Sequence, residues 1–249
     1  MAQASGQSVG FLYPGHSAED DYPRLEGMLR EAGADVRLPL VHTDIGEDAH
    51  RVDALLEMGS TDRLAAGVDA LKQQGAQAVV WACTSASFVF GWEGAHRQVR
   101  ELSAAAALPA SSTSFAFAHA ARALGLERVA VAATYPDDVA EHFAAFLKAA
   151  GVEVVSLRGS GIITAAEVGT WGRAETLTMA GAGDHPDAQA VLLPDTALHS
   201  AAHITDLEYT LGKPVLTANQ VTVWEGLRLL DGTHGEVRCP SLGRLFGAS

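Results

Sequence analysis

Two stretches of this chain are written on one plan. "VGFLYPGHSAEDDYPRLEGMLREAGADVRLPL", from Val9, reads strand, Tyr-Pro, acidic helix start, helix, Ala-Gly, strand; "VAVAATYPDDVAEHFAAFLKAAGVEVVSL", from Val129, repeats that order. Tyr13 and Tyr135 stand 122 positions apart. The strands that follow end as "VVWACTSAS" and "AVLLPDTALHS", which sets Cys83-Thr84 against Asp195-Thr196 at a separation of 112. A chain that repeats itself in this way folds as two similar halves.

Short apolar or β-branched runs alternate with longer helical patterns, the signature of parallel sheets with crossover helices. Candidate strands are residues 8–13, 35–41, 78–82, 108–112, 128–133, 152–157, 190–194 and 214–218. Between them Leu64, Val68 and Leu71 share one helical face, and Val139, Phe143, Phe146 and Leu147 another. Ser17 with Asp20, and Thr164 with Glu167, read as capping boxes. The expected fold is α/β: two pseudo-symmetric halves, each a parallel four-stranded sheet flanked by helices. The first half takes residues 1–112 plus 219–249, and the second takes 113–218.

Composition removes several classes of function. With 17 Lys+Arg against 30 Asp+Glu, the net charge of −13 repels nucleic acid and anionic lipid, and no basic stripe offsets it. No run approaches the length of a membrane span, and the start "MAQASGQSVGFLYP" lacks a signal-peptide pattern. Cys83 and Cys239 match no disulfide framework, metal motif or redox motif, which fits a reducing cytoplasm. Cys239 lies in a Pro- and Gly-containing tail and reads as structural. His199 and His203 have the i, i+4 spacing of a metal pair but no zincin glutamate, and "GSGIIT" lacks the third glycine of a dinucleotide site, so neither metal nor cofactor is expected.

Ligands of open α/β sheets bind beyond the carboxyl ends of the strands, so the two equivalent strand ends should face one cleft between the halves. Cys83 and Asp195 would meet there, with Tyr13, Pro14, Gly15, His16, Thr134, Tyr135 and Asn219 on the same rim. A thiol at a helix start, facing N–H dipoles, is expected to ionise easily and act as nucleophile or base. Asp195 is a candidate general acid or the N-cap of a helix over "TALHSAAHITDLEY". Thr84, Ser85 and Thr196, with neighbouring N–H groups, would cup carboxylate oxygens.

The segments "WACTSAS", "SSTSFAFAHAARALGLERVAVAATYPDDV" and "GKPVLTANQVTVWEGLRLL" resemble the aspartate/glutamate racemase superfamily, and within it the maleate cis-trans isomerase and arylmalonate decarboxylase branch. The likeness spans nearly the whole chain. It implies a cofactor-independent enzyme with two catalytic residues flanking a small carboxylate or dicarboxylate, here Cys83 and Asp195. Racemases and maleate isomerases of this group carry cysteine at both places; arylmalonate decarboxylases keep the second. The resemblance further implies carboxylate binding by Thr84, Ser85, Tyr135 and Thr196, with Asn219 as a substrate contact, and Pro14 and Gly15 fall at the same rim. The leading expectation is a maleate-type isomerase in which the Cys83 thiolate adds to the alkene; the alternatives are decarboxylation or racemisation of a small α-substituted acid, and a non-catalytic acid-binding protein. A homo-oligomer is expected.

Overall fold

The computed structural model describes residues 6–15, 17–230 and 237–247. Its strands and helices alternate in the order the sequence pattern implies. In the first half β1 (Gln7–Pro14) leads to α1 (Asp21–Glu31), β2 (Val36–Arg37), β3 (Leu40–Thr43), α2 (Val52–Met58), α3 (Thr61–Gln73), β4 (Ala78–Trp81), α4 (Ser85–Phe88), α5 (Gly91–Ala106) and β5 (Ala110–Ser112). After α6 (Thr113–Ala123) come β6 (Arg128–Ala133), α7 (Asp137–Ala149), β7 (Glu153–Gly159), α8 (Ala165–Val168), α9 (Arg173–Gly183), β8 (Ala190–Leu193), α10 (Ile204–Leu211), β9 (Val215–Thr217), α11 (Ala218–Leu229) and α12 (Arg244–Gly247).

All recorded strand pairs are parallel, in two separate sheets. The second has the order β7-β6-β8-β9; the first runs β2-β1-β4-β5, with β3 also paired to β1. The expected single strand over 35–41 is thus two pieces. Pro39 lies between them and has no N–H to give a ladder, although its carbonyl still accepts from Phe11 N at 2.9 Å. The first sheet therefore has five strands in four positions.

The central strands β1, β4 and β8 are buried along their whole length, because helices cover both faces. Helix α7 shows how the sequence sets this up: Asp137 and Asp138 occupy its first turn and Lys148 its last, matching the helix dipole, while Val139, Phe143, Phe146 and Leu147 turn inward. Helix α11 follows the second sheet but packs on β1, β4 and β5 of the first. It approaches so closely that a Cβ on Gly226 would collide with the side chain of Val9. Helix α11 is joined to α6 and β5 by the buried Glu225, which accepts from Ser111 Oγ at 2.7 Å, Arg228 Nε at 2.8 Å and His119 Nδ1 at 2.9 Å. Burial pushes the Glu225 carboxyl up, but His119 and Arg228 outweigh it and hold the group below its ordinary value. No described helix is long and apolar enough to cross a membrane.

Two capping expectations divide. Thr164 Oγ1 accepts from Glu167 N at 3.2 Å and starts α8. Ser17 does not start α1, whose N-cap is Asp20; the backbone N–H of Ser17 instead donates to Glu19 Oε2 at 2.7 Å.

Candidate active site

The apolar run of β4 carries its pairing one residue further, with Ala82 N donating to Leu12 O at 2.8 Å, and then turns sharply. Thr84 O accepts from Ser87 N and Phe88 N at 3.1 and 3.0 Å and from Ser114 Oγ at 2.8 Å, so the chain enters α4 at once. Gln98 Nε2 and Trp81 Nε1 both hold the Ala86 carbonyl, at 2.8 and 3.3 Å. This turn points the N–H groups of Ser85 and Ala86 at the Cys83 sulfur, which is 4% exposed and contacts Ser85 Oγ at 3.8 Å.

Burial works against the easy ionisation expected of this thiol. Burial raises the Cys83 pKa to about 11; the Ala86 and Ser85 N–H groups and the Ser85 hydroxyl pull it down, and the charge of Asp195 adds to the rise. Helix dipoles favour the thiolate, but desolvation is the larger effect.

The second half builds its strand end differently. After β8, Asp195 Oδ2 accepts a short hydrogen bond from Thr134 Oγ1, and Oδ1 accepts from Ala197 N at 2.9 Å. The carboxylate closes a local turn rather than capping a helix: residues 196–200 are not helical, and α10 begins at Ile204 after a 3-10 turn over Ala201–His203. This turn is held from behind. Thr196 O accepts from Tyr13 Oη at 2.9 Å and from Asn219 Nδ2 at 3.1 Å. The buried Asp21 accepts from Ser200 N, Ala201 N and Asn219 Nδ2 at 3.0 to 3.1 Å. Burial lifts its carboxyl above the ordinary range, while those donors oppose the rise.

Cys83 and Asp195 line one cavity, together with Tyr13, Pro14, Ser85 and Thr196. Ile45, Leu55, Met58 and Ala197 supply its apolar wall. Other residues singled out from sequence lie just outside it. Tyr135 is buried and donates to Pro194 O at 2.6 Å. Asn219 is fully buried behind the Thr196 turn, where it positions that turn. Thr84 is fully buried, and its Oγ1 has no hydrogen-bond partner. Gly15, at φ +62°, turns the chain away after β1. His16 lies outside the described residues. His199 is engaged at both ring nitrogens, by Asp20 Oδ1 at 2.9 Å and Gly169 O at 3.1 Å. Cys239, also buried, contacts Ser241 Oγ at 3.2 Å in the C-terminal segment.

His50 carried no signal in the sequence, yet it lines the same cavity at 8% exposure. It belongs to a loop that reaches over the site and fastens to the second half. Asp48 Oδ1 and Oδ2 accept from Ala165 N and Ala166 N at 2.7 and 3.0 Å. His50 N donates to Ile163 O, and His50 Nδ1 bonds Ile162 O, both at 2.8 Å. With this strap down the cavity encloses about 20 Å³, room for a water molecule rather than a carboxylic acid.

The comparisons agree with this architecture. Arylmalonate decarboxylase of Bordetella bronchiseptica is 29% identical over 259 residues, covering the whole of both chains. A solved double variant of arylmalonate decarboxylase in liganded form, with one glycine changed to cysteine and one cysteine to serine, is 27% identical with a TM-score of 0.80 over 98% of this chain and 100% of that one. The Nocardia farcinica maleate cis-trans isomerase, solved as a variant with a covalently bound succinylcysteine, shares the fold at a TM-score of 0.86 and 22% identity, over 96% of this chain and 98% of that one. The family model for arylmalonate decarboxylase matches residues 57–246, a span that runs from α2 through both strand ends to α12, and by that match the chain belongs to the arylmalonate decarboxylase family.

Proposed function

We propose that this protein is a cofactor-independent decarboxylase of α-substituted malonates in which Cys83 delivers the proton to the product carbon. The observation that carries the reading is the cavity itself, which sets the buried Cys83 thiol and its neutral donors beside an apolar wall. With a pKa pushed up to about 11, Cys83 holds its proton across the neutral range. Such a sulfur is a proton donor in waiting.

One carboxylate of the substrate would be held by neutral donors: the N–H groups at Ser85 and Ala86, the Thr84 and Ser85 hydroxyls, and the Thr196 turn. The apolar wall of Leu55, Met58 and Ile45 suits an aryl or alkyl substituent. As the C–C bond to the second carboxylate breaks and carbon dioxide leaves, the electron pair passes into the retained carboxylate as an enediolate. Cys83 S–H then breaks and the new C–H bond forms. The thiolate left behind regains a proton from solvent, so each turnover consumes one proton.

Thiolate addition to an alkene, as in a maleate isomerase, needs the sulfur in the form that burial disfavours. At pH 7 a thiol of this kind is ionised to about one part in ten thousand. The deciding experiment follows carbon dioxide release from methylphenylmalonate and fumarate formation from maleate. Decarboxylation by the wild type, falling at least ~1,000-fold in Cys83→Ser, is the expected result. Fumarate without carbon dioxide would establish the isomerase instead, and turnover unaffected by Cys83→Ser would sink both.

A further inference from the structure

We propose that Gln98, which lies outside the cavity, is a positioning residue: one amide nitrogen fixes the spacing between the turn that carries Cys83 and the helix that supplies part of the apolar wall, and so limits the size of the α-alkyl group the site accepts. The substrate class rests on the decarboxylase reading above; the clamp rests on its own geometry.

Gln98 is buried on the inner face of α5. Its Nε2 donates to Gly59 O and to Ala86 O, both at 2.8 Å. Carbonyls can only accept, so the nitrogen rather than the oxygen of the amide must face them, and both of its hydrogens are used. The two carbonyls belong to different parts of the site. Gly59 closes α2, whose Leu55 and Met58 line the cavity. Ala86 lies in the turn after Cys83 and turns its own N–H toward the sulfur.

Ala86 needs such a tether. At φ −76° and ψ +17° it leaves helical geometry inside α4, and its carbonyl is held by the side chains of Gln98 and Trp81. Trp81 belongs to β4, so it ties the turn back to its own strand, whereas Gln98 ties it to α2. The clamped surfaces are in close contact: a Cβ on Gly59 would collide with the Ala86 carbonyl oxygen and stand 2.7 Å from Gln98 Nε2. Packing this tight leaves the wall no slack with which to retreat from the thiol as a larger group enters. Against a wall that cannot yield, one methylene changes kcat/KM by about 10–200-fold.

The test compares carbon dioxide release from phenylmalonate, methylphenylmalonate and ethylphenylmalonate, whose α-groups grow from hydrogen to methyl to ethyl. Beside it, calorimetry measures binding of the matching products, phenylacetate, 2-phenylpropionate and 2-phenylbutyrate. Gln98→Met keeps the side-chain length and loses both donations; it should raise the ethyl-to-methyl ratio of kcat/KM about tenfold over the wild type, with the Kd ratio moving in the same sense. Gly59→Ala wedges the same contact from the α2 side and should shift both ratios the same way, each variant being compared below its melting transition. A merely structural role would lower all three substrates by one factor, so unchanged ratios in both variants overturn the proposal. Binding ratios that shift in an enzyme that releases no carbon dioxide overturn the decarboxylase reading and leave Gln98 in its role. A wild type that neither binds nor turns over any of these acids overturns both.

Discussion

The two halves repeat one order of strand, turn and helix, yet they present their strand ends to the cavity in opposite conditions. In the first half the side chains at the strand end are lightly held: the Cys83 sulfur faces the Ser85 hydroxyl at 3.8 Å and the Ser85 and Ala86 N–H groups, and Thr84 Oγ1 makes no hydrogen bond of ordinary length. In the second half Asp195 accepts from Thr134 and Ala197, and the Thr196 carbonyl accepts from Tyr13 and Asn219. The difference begins in single residues. Thr134 occupies the place that fully buried Leu12 holds in the first repeat, so one half offers a hydroxyl to its strand end where the other offers methyl groups. The side chains of the first strand end are left lightly bonded, whereas those of the second hold a local shape.

The largest test of that contrast is the pH dependence of kcat/KM between pH 7 and 10. A folded-state thiol near 11 is protonated throughout this window, so a proton-donor role for Cys83 gives no alkaline loss until the pH nears 11. A thiolate role would instead raise the rate roughly tenfold per pH unit, about 1,000-fold in all, and would break the assignment of the first half.

Next in size is Asp21→Ala. It would leave the Ser200 and Ala201 N–H groups and the Asn219 amide without their acceptor, and should cost about 3 kcal/mol in urea unfolding. A cost below ~1 kcal/mol would mean that the turn after β8 stands without support from the first half.

The smallest effects come from a matched pair. Thr84→Val should raise KM about tenfold with melting nearly unchanged, since its hydroxyl makes no hydrogen bond of ordinary length within the protein. Thr134→Val should lower stability by about 1–2 kcal/mol, because it strips a donor from a buried carboxylate. Equal behaviour of the two valines would erase the distinction between the halves.

What was legible in the sequence was what is local. The repeat, the parallel strands and the two strand ends follow from periodicity and from where apolar runs stop, so Cys83 and Asp195 could be picked out before any coordinates. Pro39 announced the break between β2 and β3 as clearly, although the expected strand ran across it. His50 was not legible, because its place depends on Ile162, 112 residues further along the chain, and "DIGEDAH" has neither helical nor strand spacing. The helix expected directly after Asp195 failed for a related reason. Distant Tyr13, Asn219 and Asp21 claim the backbone groups that a helix would have paired within itself.

The strap over the cavity has a consequence for how such a protein can change. Its bonds from Asp48 and His50 run to main-chain atoms of residues 162–166, so closing does not depend on which side chains that stretch carries. Ile163, 62% exposed, is free to drift. A library randomised there would vary the exposed surface beside the strap while sparing its main-chain fastening, so the closed form should tolerate it.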